Sequence, residues 1–143
     1  MPSLREQIIP ARFLLTLGHL ISVCLVSYTK EHNIYAAYDS PSSAEKSSAV
    51  FEIQAAINFS LACFFFDFLG IFSGTSLFMN KVNLIQIMMH FVGGVLVSTF
   101  IHDSWAFVYL WPLVIIFNAS SALLEIGVLI AVHVLKLVMY GGD

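Results

Sequence analysis

Charged side chains are scarce in this chain of 143 residues: six are Lys or Arg and nine are Asp or Glu, together 10% of the sequence. Soluble globular domains carry about 25% charged residues. The formal net charge is -3, and Lys and Arg form no run that could make the basic patch of a nucleic-acid-binding protein. The sequence therefore disfavours a water-soluble fold and predicts no nucleic-acid partner.

Cysteine is equally rare, and the common catalytic motifs are absent. Cys24 and Cys63 both lie in apolar stretches, which indicates buried thiols rather than a disulfide. The chain has no P-loop, dinucleotide fingerprint, nucleophile elbow or CxxC motif. We therefore predict no catalytic residue, no enzymatic activity and no cofactor.

Long apolar stretches are what the sequence has in place of charge, since 59% of its residues are hydrophobic. A helix needs about 20 apolar residues to cross a bilayer, at about 1.5 Å per residue. Four stretches approach or exceed that length, and the predicted spans are about 13–29, 50–72, 83–101 and 105–134. The sequence predicts an all-α, four-span transmembrane helix bundle surrounded by membrane lipids, with an extramembrane loop over residues 30–49.

The distribution of Lys and Arg predicts the orientation of the four spans. Both termini and the link between spans two and three share one side of the membrane, and the loop lies on the other. The first side carries four basic residues and the second carries two: Arg5, Arg12, Lys81 and Lys136 against Lys30 and Lys46. The positive-inside rule then places segments 1–12 and 135–143 in the cytosol. Arg12 is expected to snorkel from the end of span one towards the headgroups.

One ionisable residue lies well inside each span: His19, Asp67, His90 and Glu125. All four are predicted at a common depth, roughly 8–14 Å below the cytosolic face at about 1.5 Å per residue. Each belongs to a stripe of small or polar residues at helical spacing. The stripes are Arg12, Thr16, His19 and Ser22; Ser60, Cys63, Asp67, Gly70 and Gly74; Asn83, Gln86, His90 and Gly93 or Gly94; and Asn118, Ser121 or Ala122, and Glu125.

Ionisable groups are costly in hydrocarbon and usually face the interior of a bundle. We therefore predict a structural polar layer in which the carboxylates accept hydrogen bonds from imidazole N–H groups. Two imidazoles and two carboxylates are also a possible zinc, iron or proton-relay set. However, they come from four separate helices, with no HxxxH or ExxH spacing, so no metal site is predicted.

The alternative is a lipid- or sterol-binding, or sterol-modifying, four-helix protein. In that case Asp67, His90 and Glu125 would line a pocket open to the inner leaflet. A cavity at that depth would favour this alternative, whereas a closely packed layer of paired groups would count against it.

Small residues at i, i+4 spacing predict where helices approach one another, because they let two backbones come close. Span two ends in a formal GxxxG, and the other spans contain looser versions of it. The predicted helix-packing pairs are Gly70 and Gly74, Gly18 and Ser22, Gly94 and Ser98, and Gly127 and Ala131.

Several short motifs resemble the transmembrane protein 107 family, in an order and spacing that cover nearly the whole chain. They are Pro10-Ala11-Arg12-Phe13-Leu14 followed by His19-Leu20, then Asn33-Ile34-Tyr35-Ala36, and Gly70-Ile71-Phe72-Ser73-Gly74-Thr75-Ser76-Leu77-Phe78. Four further positions fit the pattern: His90, Phe100-Ile101, Trp105 and Glu125. The chain departs from it in having Asp67 where Glu is expected and in its own loop from Tyr38 to Val50.

The resemblance implies a membrane scaffold or adaptor of the ciliary transition zone that is a member of the Meckel-syndrome complex. It implies a role in recruiting or retaining other members, in cilium assembly and in control of ciliary membrane composition. The expected partners are other transition-zone membrane proteins.

Overall fold

The computed structural model describes residues 4–136 and consists of four helical rods. The first three are α1 (Leu4–Tyr35), α2 (Ser43–Ser73) and α3 (Asn80–His102). The fourth rod joins a 3₁₀ turn (Phe107–Tyr109), α4 (Leu110–Leu113), a π-helical stretch (Val114–Ala119) and α5 (Ser120–His133). Within residues 4–136 there is no strand, so the predicted all-α fold class is confirmed.

Four segments are long and apolar enough to cross a membrane: Gln7–Tyr35, Ser43–Ser73, Asn80–His102 and Phe107–His133. The chain is thus an integral membrane protein with a four-span helical bundle. The first three helices extend beyond the predicted spans, whereas the fourth rod, Phe107–His133, is slightly shorter than the predicted 105–134. In particular, α1 already begins at Leu4 rather than near residue 13, and the predicted loop over 30–49 is reduced to residues 36–42. Residues 137–143 of the predicted C-terminal tail lie outside the described residues.

Local capping explains why α2 begins earlier than hydrophobicity predicts. The Ser42 hydroxyl accepts from the Glu45 amide, and the Glu45 carboxylate accepts from the Ser42 amide, which forms a capping box. The helix ends at Gly74, whose φ of 72° is in the left-handed region that favours glycine. Gly74 is therefore the residue that ends α2, and no atom of the described chain lies within 4 Å of a Cβ added at this position.

The rods are arranged so that α1 packs against α2 and α3, and the fourth rod also packs against α2 and α3. Consequently α1 and α5 lie across the bundle from each other, as do α2 and α3. The apolar core fills the half next to the 36–42 loop, with buried Val23, Val26, Ile34, Ile53, Phe100 and Leu110. The half next to residues 74–79, which link α2 to α3, holds most of the buried polar residues.

The fourth rod is less regular than the single helix predicted from residue 105 to 134. Pro112 lies inside it and lacks a backbone N–H, so it disturbs the regular hydrogen-bond pattern. The π-helical stretch follows directly after this proline turn, and Asn118 is buried within it. Pro112 was the signal in the sequence for this irregularity.

Candidate functional site

The four ionisable residues predicted to share a layer are all buried. His19 and His90 are each 1% exposed, and Asp67 and Glu125 are fully buried. They come from α1, α2, α3 and α5, and the structure places them in one continuous polar network. The pairing differs from the predicted pattern, because Glu125 contacts a guanidinium rather than an imidazole.

Arg12 and Glu125 form an ion pair across the bundle, with 2.7 Å between Nη2 and Oε2. The expectation that Arg12 snorkels towards the headgroups is wrong: this side chain is 1% exposed and points inward. Its Nη1 donates to the Ser76 hydroxyl at 2.8 Å and to Asn83 Oδ1 at 2.7 Å. The planar guanidinium thus joins α1, the 74–79 link, α3 and α5, a geometry that suits Arg rather than Lys.

Gln86 and Ser121 connect this ion pair to the rest of the network. Gln86 Nε2 donates to Glu125 Oε2 at 3.2 Å and to the Ser121 carbonyl at 3.1 Å. The Ser121 hydroxyl faces Gln86 Oε1, Asp67 Oδ1 at 2.9 Å and His90 Nε2 at 3.1 Å. Both residues belong to the predicted stripes, but their role as bridges was not predicted.

His90 connects α3 to α2, the second pair of helices that lie across the bundle from each other. Its Nε2 lies 3.5 Å from Asp67 Oδ2, a long contact between α3 and α2. Its Nδ1 lies 3.3 Å from Nδ1 of His19 on α1. Phe64 packs against both imidazoles, edge-on to His19 and stacked on His90. The aromatic ring separates the polar network from the apolar half of the bundle.

Glycines allow the helices to approach the network closely. A Cβ added to Gly70 would lie 1.5 Å from Glu125 Oε1, so α2 and α5 can come together here only without a side chain. A Cβ on Gly93 would lie 2.5 Å from Cε1 of His19, and one on Gly94 would lie 3.4 Å from its Cα. Helix α3 therefore approaches His19 more closely at Gly93 than at Gly94, the glycine that was predicted to pack.

The other predicted packing residues divide into two groups. Ser22 and Ser98 face each other across α1 and α3, with 3.1 Å between their hydroxyls. Gly18 and Gly127, in contrast, have no atom of the described chain within 4 Å of an added Cβ. Their predicted packing role inside this bundle is therefore wrong, because both face outward. Ala131, four residues after Gly127, is half-buried.

Metal-site geometry and neighbouring cavities indicate whether the network could hold a ligand. Among residues 4–136, no group of three or more His, Cys, Asp or Glu side chains has the geometry of a metal site. A groove of about 560 Å³ lies between α1 and α3 and is open to the surface of the bundle. His19 and His90 line it, whereas Asp67 and Glu125 do not.

Comparison with known proteins finds relatives that match most of the chain. A family model described as "TMEM107: Transmembrane protein" matches residues 8–129, a range that includes every network residue. "Transmembrane protein 107" of Rattus norvegicus is 31% identical over 132 residues, which cover 90% of this chain and 93% of the relative. The Homo sapiens protein of the same name is 29% identical with the same coverage. The Danio rerio protein is 24% identical over 131 residues, covering 91% and 97%. No solved structure matches the chain. The chain belongs to the transmembrane protein 107 family.

Proposed function

We propose that this protein is a non-enzymatic membrane scaffold or adaptor of the ciliary transition zone. It helps to recruit or retain other membrane proteins of the Meckel-syndrome complex, and so supports cilium assembly and control of ciliary membrane composition. Membership of the transmembrane protein 107 family is the observation that carries this proposal. Both termini face the cytosol in this proposal, in line with the distribution of Lys and Arg.

The polar network supports a structural role for its ionisable groups. Arg12 and Glu125 are paired with each other, and Gln86 and Ser121 donate and accept within the same set. A catalytic acid or base must reach a substrate atom within hydrogen-bond distance. Asp67 and Glu125 are fully buried among protein groups, which favours stabilisation of the bundle over chemistry on a lipid or sterol.

The surface of the bundle is suited to lateral contacts within the membrane. Large apolar side chains are exposed along all four rods, among them Phe65, Phe72, Leu84, Phe91 and Leu123. In a bilayer these side chains meet lipid tails or the helices of other membrane proteins. A scaffold requires such surfaces and no catalytic residue.

The experiment that tests the proposal is localisation of a tagged protein expressed at its natural level in a ciliated cell. We expect a ring at the base of the cilium, and co-purification with other transition-zone membrane proteins. Cells that lack the protein should admit membrane proteins normally kept out of the cilium, and the wild-type chain should reverse this. A diffuse endoplasmic reticulum pattern, together with normal ciliary composition in its absence, would contradict the proposal.

A further inference from the structure

We propose that the network is a buried proton-binding site in which Asp67 holds one proton at neutral pH. The carboxyl group of Asp67 is then a hydrogen-bond donor to Ser121, and the whole network is electrically neutral. This inference goes beyond the scaffold function, because it depends only on the contacts inside the bundle. The charges of the buried groups and the number of hydrogens available to their hydrogen bonds both require this proton.

Titratable groups surround Asp67 from each element packed against α2. They are Arg12 from α1 and Glu125 from α5, which pair with each other, His90 from α3, which lies 3.5 Å from Asp67 Oδ2, and His19 from α1, which reaches the network through His90; Cys63 lies one turn earlier on α2 itself. The guanidinium of Arg12 lies against Glu125 and neutralises it. This leaves two imidazoles and one carboxyl group. A buried carboxylate without a cation is costly, so neutrality requires one further proton.

The neighbours of Gln86 determine the orientation of its side-chain amide. Its Nε2 faces two acceptors, the Ser121 carbonyl and Glu125 Oε2, and the nitrogen is the only end of the amide that can donate. The oxygen Oε1 must therefore be the atom that faces the Ser121 hydroxyl. Because an amide oxygen only accepts, this contact uses the hydroxyl hydrogen of Ser121.

A hydroxyl has one hydrogen, and Ser121 has now given it to Gln86. Its oxygen nevertheless lies 2.9 Å from Asp67 Oδ1, a normal hydrogen-bond distance. Two oxygens at this distance need a hydrogen between them, and only Asp67 can supply it. The geometry therefore assigns a carboxylic acid to Asp67, with its proton on Oδ1 and directed at the Ser121 oxygen.

The imidazoles do not replace Asp67 as the location of the proton. If His90 were doubly protonated and Asp67 ionised, Ser121 would still have one hydrogen for two acceptors, Gln86 Oε1 and Asp67 Oδ1. With Asp67 protonated, each imidazole needs only one hydrogen. His19 Nδ1–H then donates to His90 Nδ1, and His90 Nε2–H points at Asp67 Oδ2 and the Ser121 oxygen. Loss of the Asp67 proton leaves one of the two oxygens facing Ser121 without a donor.

Infrared spectroscopy of the purified full-length protein in lipid nanodiscs tests the assignment directly. At neutral pH we expect the carbonyl stretch of a protonated carboxylic acid. The band should shift when the protein carries ¹³C-carboxyl aspartate and remain in place when it carries labelled glutamate. The Asp67→Asn variant should lose the band, and Glu52→Gln, at an exposed position, should keep it. If a variant fails to fold, isotope labelling still assigns the band to an aspartic acid, and Asp67 is the buried aspartate among residues 4–136, since Asp39 and Asp103 are exposed.

The pH dependence of unfolding gives a second readout. A proton bound in the folded state and released on unfolding makes stability fall as pH rises. Above about pH 7 both imidazoles are neutral in the unfolded chain as well, so they add no slope. The wild-type melting temperature should therefore fall more steeply above neutral pH than that of Asp67→Asn. Absence of an aspartic acid band, or parallel pH profiles for the two proteins, would overturn the proposal.

Discussion

The side chains of Arg12 and Glu125 meet at 2.7 Å across the centre of the bundle, although the helices that carry them do not pack side by side. The contact between Asp67 and His90 crosses the other diagonal. Together the two contacts connect each rod to the one opposite, while apolar packing connects each rod to its neighbours. At the level of the network, contacts therefore stabilise the bundle both between neighbouring rods and between rods that lie opposite each other.

Replacement of Glu125 by Gln should destabilise the protein strongly. The variant leaves the buried guanidinium of Arg12 without a counter-charge, and breaking one partner of a buried pair costs about 3–5 kcal/mol. Thermal unfolding in detergent measures the effect, and Glu52→Gln at an exposed position is the matched control. The double variant Arg12→Met with Glu125→Leu should recover much of the loss. Equal stability of Glu125→Gln and Glu52→Gln would contradict this account.

Gly70 and Gly127 provide a matched pair of glycine-to-alanine substitutions. Gly70→Ala places a methyl group where Glu125 Oε1 now lies, so α2 and α5 must separate or the ion pair must shift. We expect a clear loss of thermal stability. Gly127→Ala meets open space and should be neutral, or stabilise the helix by up to about 1 kcal/mol. Similar melting temperatures for the two variants would show that the close approach at Gly70 is not required.

Asn33 should stabilise the turn that joins α3 to the fourth rod. Its Nδ2 donates to the Phe100 carbonyl at 3.1 Å and to the Trp105 carbonyl at 2.7 Å. Asn33→Ala removes both bonds, and an unsatisfied buried carbonyl costs about 1–3 kcal/mol. The melting temperature should fall, and Trp105 fluorescence should report a changed environment. Asn58→Ala, on an exposed part of α2, is the control and should have little effect.

The orientation of the bundle is testable by cysteine labelling in intact cells. In a background of Cys24→Ser and Cys63→Ala, Asp39→Cys places a thiol in the short exposed turn between α1 and α2. A membrane-impermeant maleimide added outside should label it without permeabilisation. Thr75→Cys, in the link between α2 and α3, should be labelled only after the membrane is opened. The reverse pattern would place both termini outside the cytosol.

The number of spans and the polar faces of the helices could be predicted from the sequence, because both follow from short-range patterns. Asp67 and His90 lie on stripes with helical spacing, and those stripes face the bundle interior. The inward direction of Arg12 could not be predicted in the same way. An Arg near the end of a span can reach the headgroups or a buried carboxylate, and the choice depends on a partner 113 residues away.

The lengths of the helices and the contacts of single glycines could not be predicted from the sequence either, because they also depend on distant parts of the chain. Hydropathy locates the membrane-crossing part of α1, whereas its extension to Tyr35 depends on contacts with the turn between α3 and the fourth rod, where the buried Asn33 donates to the Trp105 carbonyl. Similarly, Gly70 and Gly127 have the same spacing pattern in the sequence. Only the positions of neighbouring helices show that the first meets Glu125 and the second meets open space.

The long sequence separation between Arg12 and Glu125 has a consequence for biosynthesis. During translation the first span enters the bilayer with a guanidinium whose partner has not yet been made, since Glu125 follows 113 residues later. Arg12 therefore remains without its counter-charge until the last rod is inserted. A chain that ends before residue 125 never gains this counter-charge, so truncation leaves the guanidinium of the first span without the carboxylate that pairs with it in the full bundle.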